Sequence, residues 1–97
     1  MKQSNILPLE EVLSSRGRIR ILEILVKVGE INISELSRRT RLNHSSVIAH
    51  LQILKRADLV EEKIFGRIKI YRFKSETLRG RAIKSLIELW DTSFSTV

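Results

Sequence analysis

His44, Ser45, Ser46, His50 and Gln52 crowd into the nine residues HSSVIAHLQ, and they are the side chains on which any chemistry of this chain has to rest. Catalysis is a poor match. The two histidines stand six positions apart, so on a helix they point to different sides, whereas a helical metal pair needs a spacing of three or four. Neither has a Ser, Cys or carboxylate at a spacing that would pair nucleophile with base. There is no cysteine, hence no thiolate ligand and no disulfide, a usage that fits a reducing cytoplasm. The expectation is a non-enzyme with no metal and no other cofactor.

Recognition of a duplex suits the same residues better. Hydroxyls and imidazole nitrogens reach base edges or phosphates, a glutamine can bond adenine bidentately, and Ile48 and Ala49 offer methyl contact to thymine. Val47, Leu51 and Leu54 recur at helical spacing with Ile53 beside them, and that stripe turns inward. The opposite flank, with Lys55 at its end, holds no acid, unlike an ordinary solvated helix face. His44, Ser45, Ser46, Ile48, Ala49 and Gln52 are therefore the expected base-facing set. The plainer alternative for Ile48 and Ala49 is a wider core stripe. His50, next to core Leu51, is expected to be a partly buried structural hydrogen-bonder instead of a reader of bases.

The charge is segmental. Of the formal +7, residues 1–37 and 75–97 contribute nothing, with five basic against five acidic and three against three side chains. Residues 38–74 carry ten basic against three acidic and account for all of it, which points to a polyanion. Arg38, Arg39 and Arg41 fall just before the helix that starts near His44, where phosphates flank a groove. Lys63, Arg67 and Lys69 surround Gly66, and Arg67 is placed to enter a minor groove.

The elements that must position these side chains follow from periodicity and punctuation. Pro8 suits the first turn of a short helix over 8–15, broken by Gly17. RIRILEILVKV from Arg18 is too apolar for one stripe and is expected to be the buried central helix, stopped by Gly29. EINIS reads as a short strand, Ser34 as the cap of the helix SELSRRT, and Asn43 as the cap of a helix over 44–56 only three residues on. LVEEKIF, GR and IKIYRF read as a hairpin, and Ser75 as the cap of a last helix with a wide apolar surface reaching residue 95. Residues 1–97 are expected to be one domain, with a core over 8–74 and a terminal helix over 75–95. The order describes an α+β winged helix-turn-helix, mostly α with a small antiparallel β-wing. No apolar run approaches the roughly 20 residues that span a bilayer, and the start lacks a signal-peptide segment. A soluble cytoplasmic protein without membrane contact is expected.

RIRILEIL, ISELSRRTRLNHSSVIAHLQILKRADLVEE and GRIKIYRF resemble the ArsR-like winged-helix transcription regulators, and more distantly the MarR-like group. The resemblance covers roughly residues 18–74 and is most specific from SSVIAHLQILKRADLV into the hairpin. It implies a homodimeric repressor that places helix 44–56 in the major groove of double-stranded DNA, with the wing, 62–71, outside it. It also implies dimerisation through the terminal helices, with Leu9 and Leu13 on the first and Ile83, Leu86, Ile87, Trp90 and Phe94 on the last. Metal-sensing relatives carry cysteines near the first helix of the motif, or His and Asp on the last helix. Here the stretch is EINISEL and the last helix has no His, so metal sensing is not implied and any small-molecule effector is unidentified. The rival readings are a non-specific architectural or viral DNA-coating protein and a winged-helix protein-interaction module.

Overall fold

The computed structural model describes residues 7–95, and of residues 92–95 the backbone only. Five helices and three strands follow in the order α1 (Leu9–Val12), α2 (Arg16–Val28), β1 (Glu30–Asn32), α3 (Ile33–Thr40), α4 (His44–Arg56), β2 (Val60–Phe65), β3 (Ile68–Phe73) and α5 (Leu78–Ser95). The arrangement is a winged helix, α3 and α4 forming the helix-turn-helix and β2 and β3 the wing.

Burial follows the apolar stripes. Ile21, Leu22 and Leu25 of α2, Leu36 of α3 and Val47, Leu51 and Leu54 of α4 are all at most 1% exposed, so three helices share one dry centre. Each such side chain contributes about 1.5–3 kcal/mol of transfer free energy. The sheet closes one side of this core. Its order is β1-β3-β2, antiparallel throughout, with Tyr71 opposite both Ile31 and Glu62. Tyr71 and Phe73 turn inward from β3, and Val60 joins them from β2.

Several boundaries differ from those expected. The first helix is one turn long, and Gly17 does not end it: Gly17 lies inside α2, whose N-cap is Ser15, with Oγ accepting from the Arg18 N–H. Glycine makes room there because α4 crosses close by; a methyl group at this position would stand 3.0 Å from His50 Nε2, a tight contact. Ser34 is not a cap. Strand β1 runs into α3 with no intervening loop, so the last strand residue, Asn32, supplies the capping oxygen to the Glu35 N–H at 2.8 Å. Ser75 is likewise replaced by Thr77, whose hydroxyl accepts from Gly80 N–H at 2.9 Å. Ile83, expected on a dimer face, is 9% exposed and belongs to the protomer's own core. It sits one turn before Ile87, which also packs against that core, and two turns before the exposed Trp90. Phe94 lies outside the described side chains.

No described helix is long and apolar enough to cross a membrane.

Candidate nucleic-acid interface

Three residues shape the turn that presents α4. Thr40 is fully buried and donates its hydroxyl to the Leu36 carbonyl at 2.9 Å, tightening the end of α3. Arg41 then takes the left-handed conformation, φ 61°, and its N–H closes on the Ser37 carbonyl. Asn43 Oδ1 accepts from Ser46 N–H at 2.8 Å and starts α4 at His44. The chain reverses within three residues, and the side chains after Asn43 emerge on the first turns of α4.

Of the expected base-facing residues, the structure leaves His44, Ser45, Ala49 and Gln52 exposed, with Ser46 and Ile48 half-buried at the edge. Ser45 Oγ donates to Asn43 Oδ1 at 2.9 Å. Ser45, Ala49 and Gln52 lie along one flank, opposite Val47, Leu51 and Leu54, while His44 is exposed as the first residue of the helix. No Asp or Glu interrupts that flank.

His50 faces elsewhere. Its Nδ1 accepts from Arg18 Nη1 at 2.9 Å, and burial first, then the Arg18 charge, hold its pKa below the usual histidine value. Arg18 itself is 5% exposed and spans α1, α2 and α4, donating from Nε to the Val12 carbonyl and from Nη2 to the Glu11 carbonyl. These are the carbonyls at the open end of α1, where a cation is favoured. The pair fixes α4 against the first two helices. The expectation of a structural role for His50 holds.

The cations divide into two groups. Arg38 and Arg39 both bond the Glu35 carboxylate, and those bonds, Arg38's first, hold its pKa down to about 2. Lys55 bonds Glu62 at 3.0 Å, and Lys63 reaches Glu30 at 3.4 Å. Arg72 bonds Glu61 and Glu76, and Lys74 bonds Asp58, so the three acids of residues 38–74 are all engaged. Four cations of that segment have no side-chain ion pair or hydrogen bond among the described residues: Arg41, Arg56, Arg67 and Lys69. Arg41 stands in the turn before α4, Arg56 at its last residue, and Arg67 and Lys69 on the wing. Arg56 was missed from the sequence. Its only signal there is a second cation beside Lys55 at a helix end, a common place for a solvated charge.

A partly buried triad ties the wing to α4. Tyr71 hydroxyl donates to Glu62 Oε2 at 2.6 Å while Lys55 donates to Glu62 Oε1. The Tyr71 bond, then the Lys55 bond, lower the Glu62 pKa, and burial followed by Glu62 raises that of Tyr71 well above the ordinary phenol range. Lys55, expected to reach phosphate, is thus partly committed to this brace. Gly66, φ 61°, takes the first central position of the two-residue turn and Arg67 the second, as a type II′ hairpin requires. Among the described residues no group of His, Cys, Asp and Glu stands close enough together to hold a metal ion.

Known proteins show the same frame. The model of the bacterial regulatory proteins of the arsR family matches residues 15–62, from the cap of α2 into β2. An uncharacterized HTH-type transcriptional regulator of Methanocaldococcus jannaschii is 41% identical over 64 residues, and the match spans 66% of each chain, just under two thirds. The transcriptional regulator HlyU of Vibrio vulnificus CMCP6 superposes with a TM-score of 0.73 at 27% identity, over 89% of this chain and 83% of that one. In fold alone, the transcriptional repressor BigR of Xylella fastidiosa is similar, with a TM-score of 0.74 at 21% identity over 87% and 80% of the two chains.

Proposed function

We propose that this chain, whose residues 15–62 match the model of the bacterial regulatory proteins of the arsR family, is a member of that family and a DNA-binding transcription regulator that reads a duplex with α4. One observation carries the reading. The solvent-facing flank of α4 is free of acid, and the four cations that the fold leaves unpartnered stand at its two ends and on the wing beside it. On this account Ser45, Ala49 and Gln52 face base edges in the major groove, with His44, Ser46 and Ile48 at the margin. Arg41, Arg56, Arg67 and Lys69 meet phosphates directly. Arg38, Arg39, Lys55 and Lys63 do so by exchanging a carboxylate for a phosphate. The family's activity is regulatory and not enzymatic.

A homodimer and repression are part of the proposal. Leu86, Leu89 and Trp90 of α5 are 48, 67 and 71% exposed, and Leu9 of α1 is 63% exposed, an apolar surface that two copies would cover. Leu13 and Ile87 lie half-buried at its border. A two-fold dimer reads half-sites about 34 Å apart, and its operator is an imperfect palindrome. Residence of such a dimer on an operator blocks transcription. The cytoplasm is the compartment in which it acts.

Fluorescence anisotropy across a salt series tests the reading. If two protomers neutralise about eight phosphates, log affinity falls with log salt at a slope near −7. A flat salt dependence, or equal affinity for selected and random duplexes, removes the regulator.

A further inference from the structure

The wing tip is more apolar than phosphate contact requires. Ile64, Phe65 and Ile68 are 61, 58 and 56% exposed at the end of a two-stranded ribbon, a place where soluble proteins usually put polar residues. Phe65 pairs with Ile68 across the ribbon, so the two side chains share one face. Ile64 pairs with Lys69 on the other face. The tip is therefore an apolar wedge with Arg67 at its apex, and the stretch KIFGRIKI holds three cations and no acid.

That charge selects the occupant. An apolar patch beside two cations that make no ion pair, Arg67 and Lys69, fits a polyanion with an apolar interior, and the minor groove of DNA offers sugar faces and base edges between two phosphate rows. The wing is also stiff enough to act on it, because the Tyr71–Glu62–Lys55 bonds brace its base against α4. We propose that Phe65 and Ile68 wedge into the minor groove beside the α4 site and kink the duplex, with Arg67 anchoring them. This rests on the DNA-binding reading above. The wedge partly unstacks one base step and bends the duplex toward the major groove, which carries further DNA toward α4. Flexible pyrimidine–purine steps deform most easily, so the wing selects a step to which it makes no hydrogen bond.

The test is energy transfer between dyes at the two ends of a duplex of about 30 bp, chosen from a random pool by the full chain. The intact protein shortens the end-to-end distance by an amount matching a bend of roughly 20–90°. The variant Phe65→Ser/Ile68→Ser, altered only at exposed positions, still raises anisotropy on that duplex and loses the shortening; Arg67→Ala weakens binding and keeps a residual bend. Equal shortening by the double variant, or binding of the intact protein without shortening, overturns this proposal alone. A lower mass of the double variant in light scattering without DNA makes the tip a contact between copies and also overturns it. Failure of the intact protein to bind any duplex sinks the DNA-binding reading with it.

Discussion

Arg18→Met removes the one buried charge that joins three helices, and its cost follows from its partners. The side chain is 5% exposed. Its Nε reaches the Val12 carbonyl at 3.0 Å, Nη1 the His50 Nδ1 at 2.9 Å, and Nη2 the Glu11 carbonyl at 2.8 Å and Ser14 Oγ at 3.3 Å. Glu11 and Ser14 are exposed, so water replaces their bonds in the variant. Val12 is buried and His50 half-buried, so the Val12 carbonyl loses its donor away from water and His50 Nδ1 in a partly shielded site. Bonds from a charged group are each worth about 1.5–3 kcal/mol, so the two together place the loss near 3 kcal/mol. Methionine keeps much of the aliphatic stem, which excludes a large cavity as the cause. Against a total of about 5–15 kcal/mol the change is severe, and for a chain of this length it lowers Tm by roughly 12–24 °C. Urea unfolding followed by circular dichroism measures it. His50→Gln, which keeps an acceptor for Arg18, is expected to cost much less. A loss under about 1 kcal/mol for Arg18→Met, or a larger one for His50→Gln, refutes the reasoning.

Four further outcomes follow from the same geometry. Because the fold lowers the His50 pKa below its ordinary 6.5, the unfolded chain takes up the proton first. His50's contribution to stability is therefore complete above pH 6.5 and is lost as the pH falls through the lowered native value; urea midpoints across that window show the decline, and His50→Gln flattens it. Ser37 Oγ is buried with no hydrogen-bond partner, so Ser37→Ala raises stability by about 1 kcal/mol in the same assay, and a loss contradicts it. Leu89→Ser/Trp90→Ser, at positions 67 and 71% exposed, leaves the urea midpoint of the protomer nearly unchanged and halves the mass seen by light scattering; an unchanged mass removes the α5 dimer. Gln52→Ala relaxes preference at one base pair by about 1–3 kcal/mol, whereas Arg67→Ala weakens all duplexes about equally, as competition between selected and random sequences reports.

The sequence told most where a residue's environment is local. Asn43, Gly29 and the stripe Val47, Leu51, Leu54 act through neighbours three or four positions away, and each lies where its spacing puts it. Legibility failed where a distant segment decides. Gly17 reads as a breaker because glycine disfavours helices, yet it lies in the first turn of α2 after the Ser15 cap, and the approach of His50, 33 positions on, is why a small residue suits it. Asn32 outranks Ser34 as a cap because β1 pairs with β3 up to that residue, a contact absent from any local window. Ile83 and Leu86 look alike in an apolar periodicity, and only the face of α5 that meets the body, which Ile83 shares with the half-buried Ile87, separates the buried one from the exposed one. At the interface, the basic excess of residues 38–74 was plain. Its division into cations held by Glu35, Glu61, Glu62, Glu76, Asp58 and Glu30 and cations left over depends on folding.

Ala49→Glu tests the α4 flank most directly. The site is exposed and helical, and glutamate is a good helix former, so the urea midpoint stays within about 0.5 kcal/mol of the parent. The carboxylate brings a negative charge into the acid-free flank that the proposal sets in the polyanionic groove, and the expected penalty of about 3 kcal/mol lowers affinity for a selected duplex by roughly two decades. Ala49→Ser, small and neutral, binds within a few-fold of the parent. Affinity unchanged by Ala49→Glu in a protein of unchanged stability would mean that DNA, if bound at all, is held by another surface.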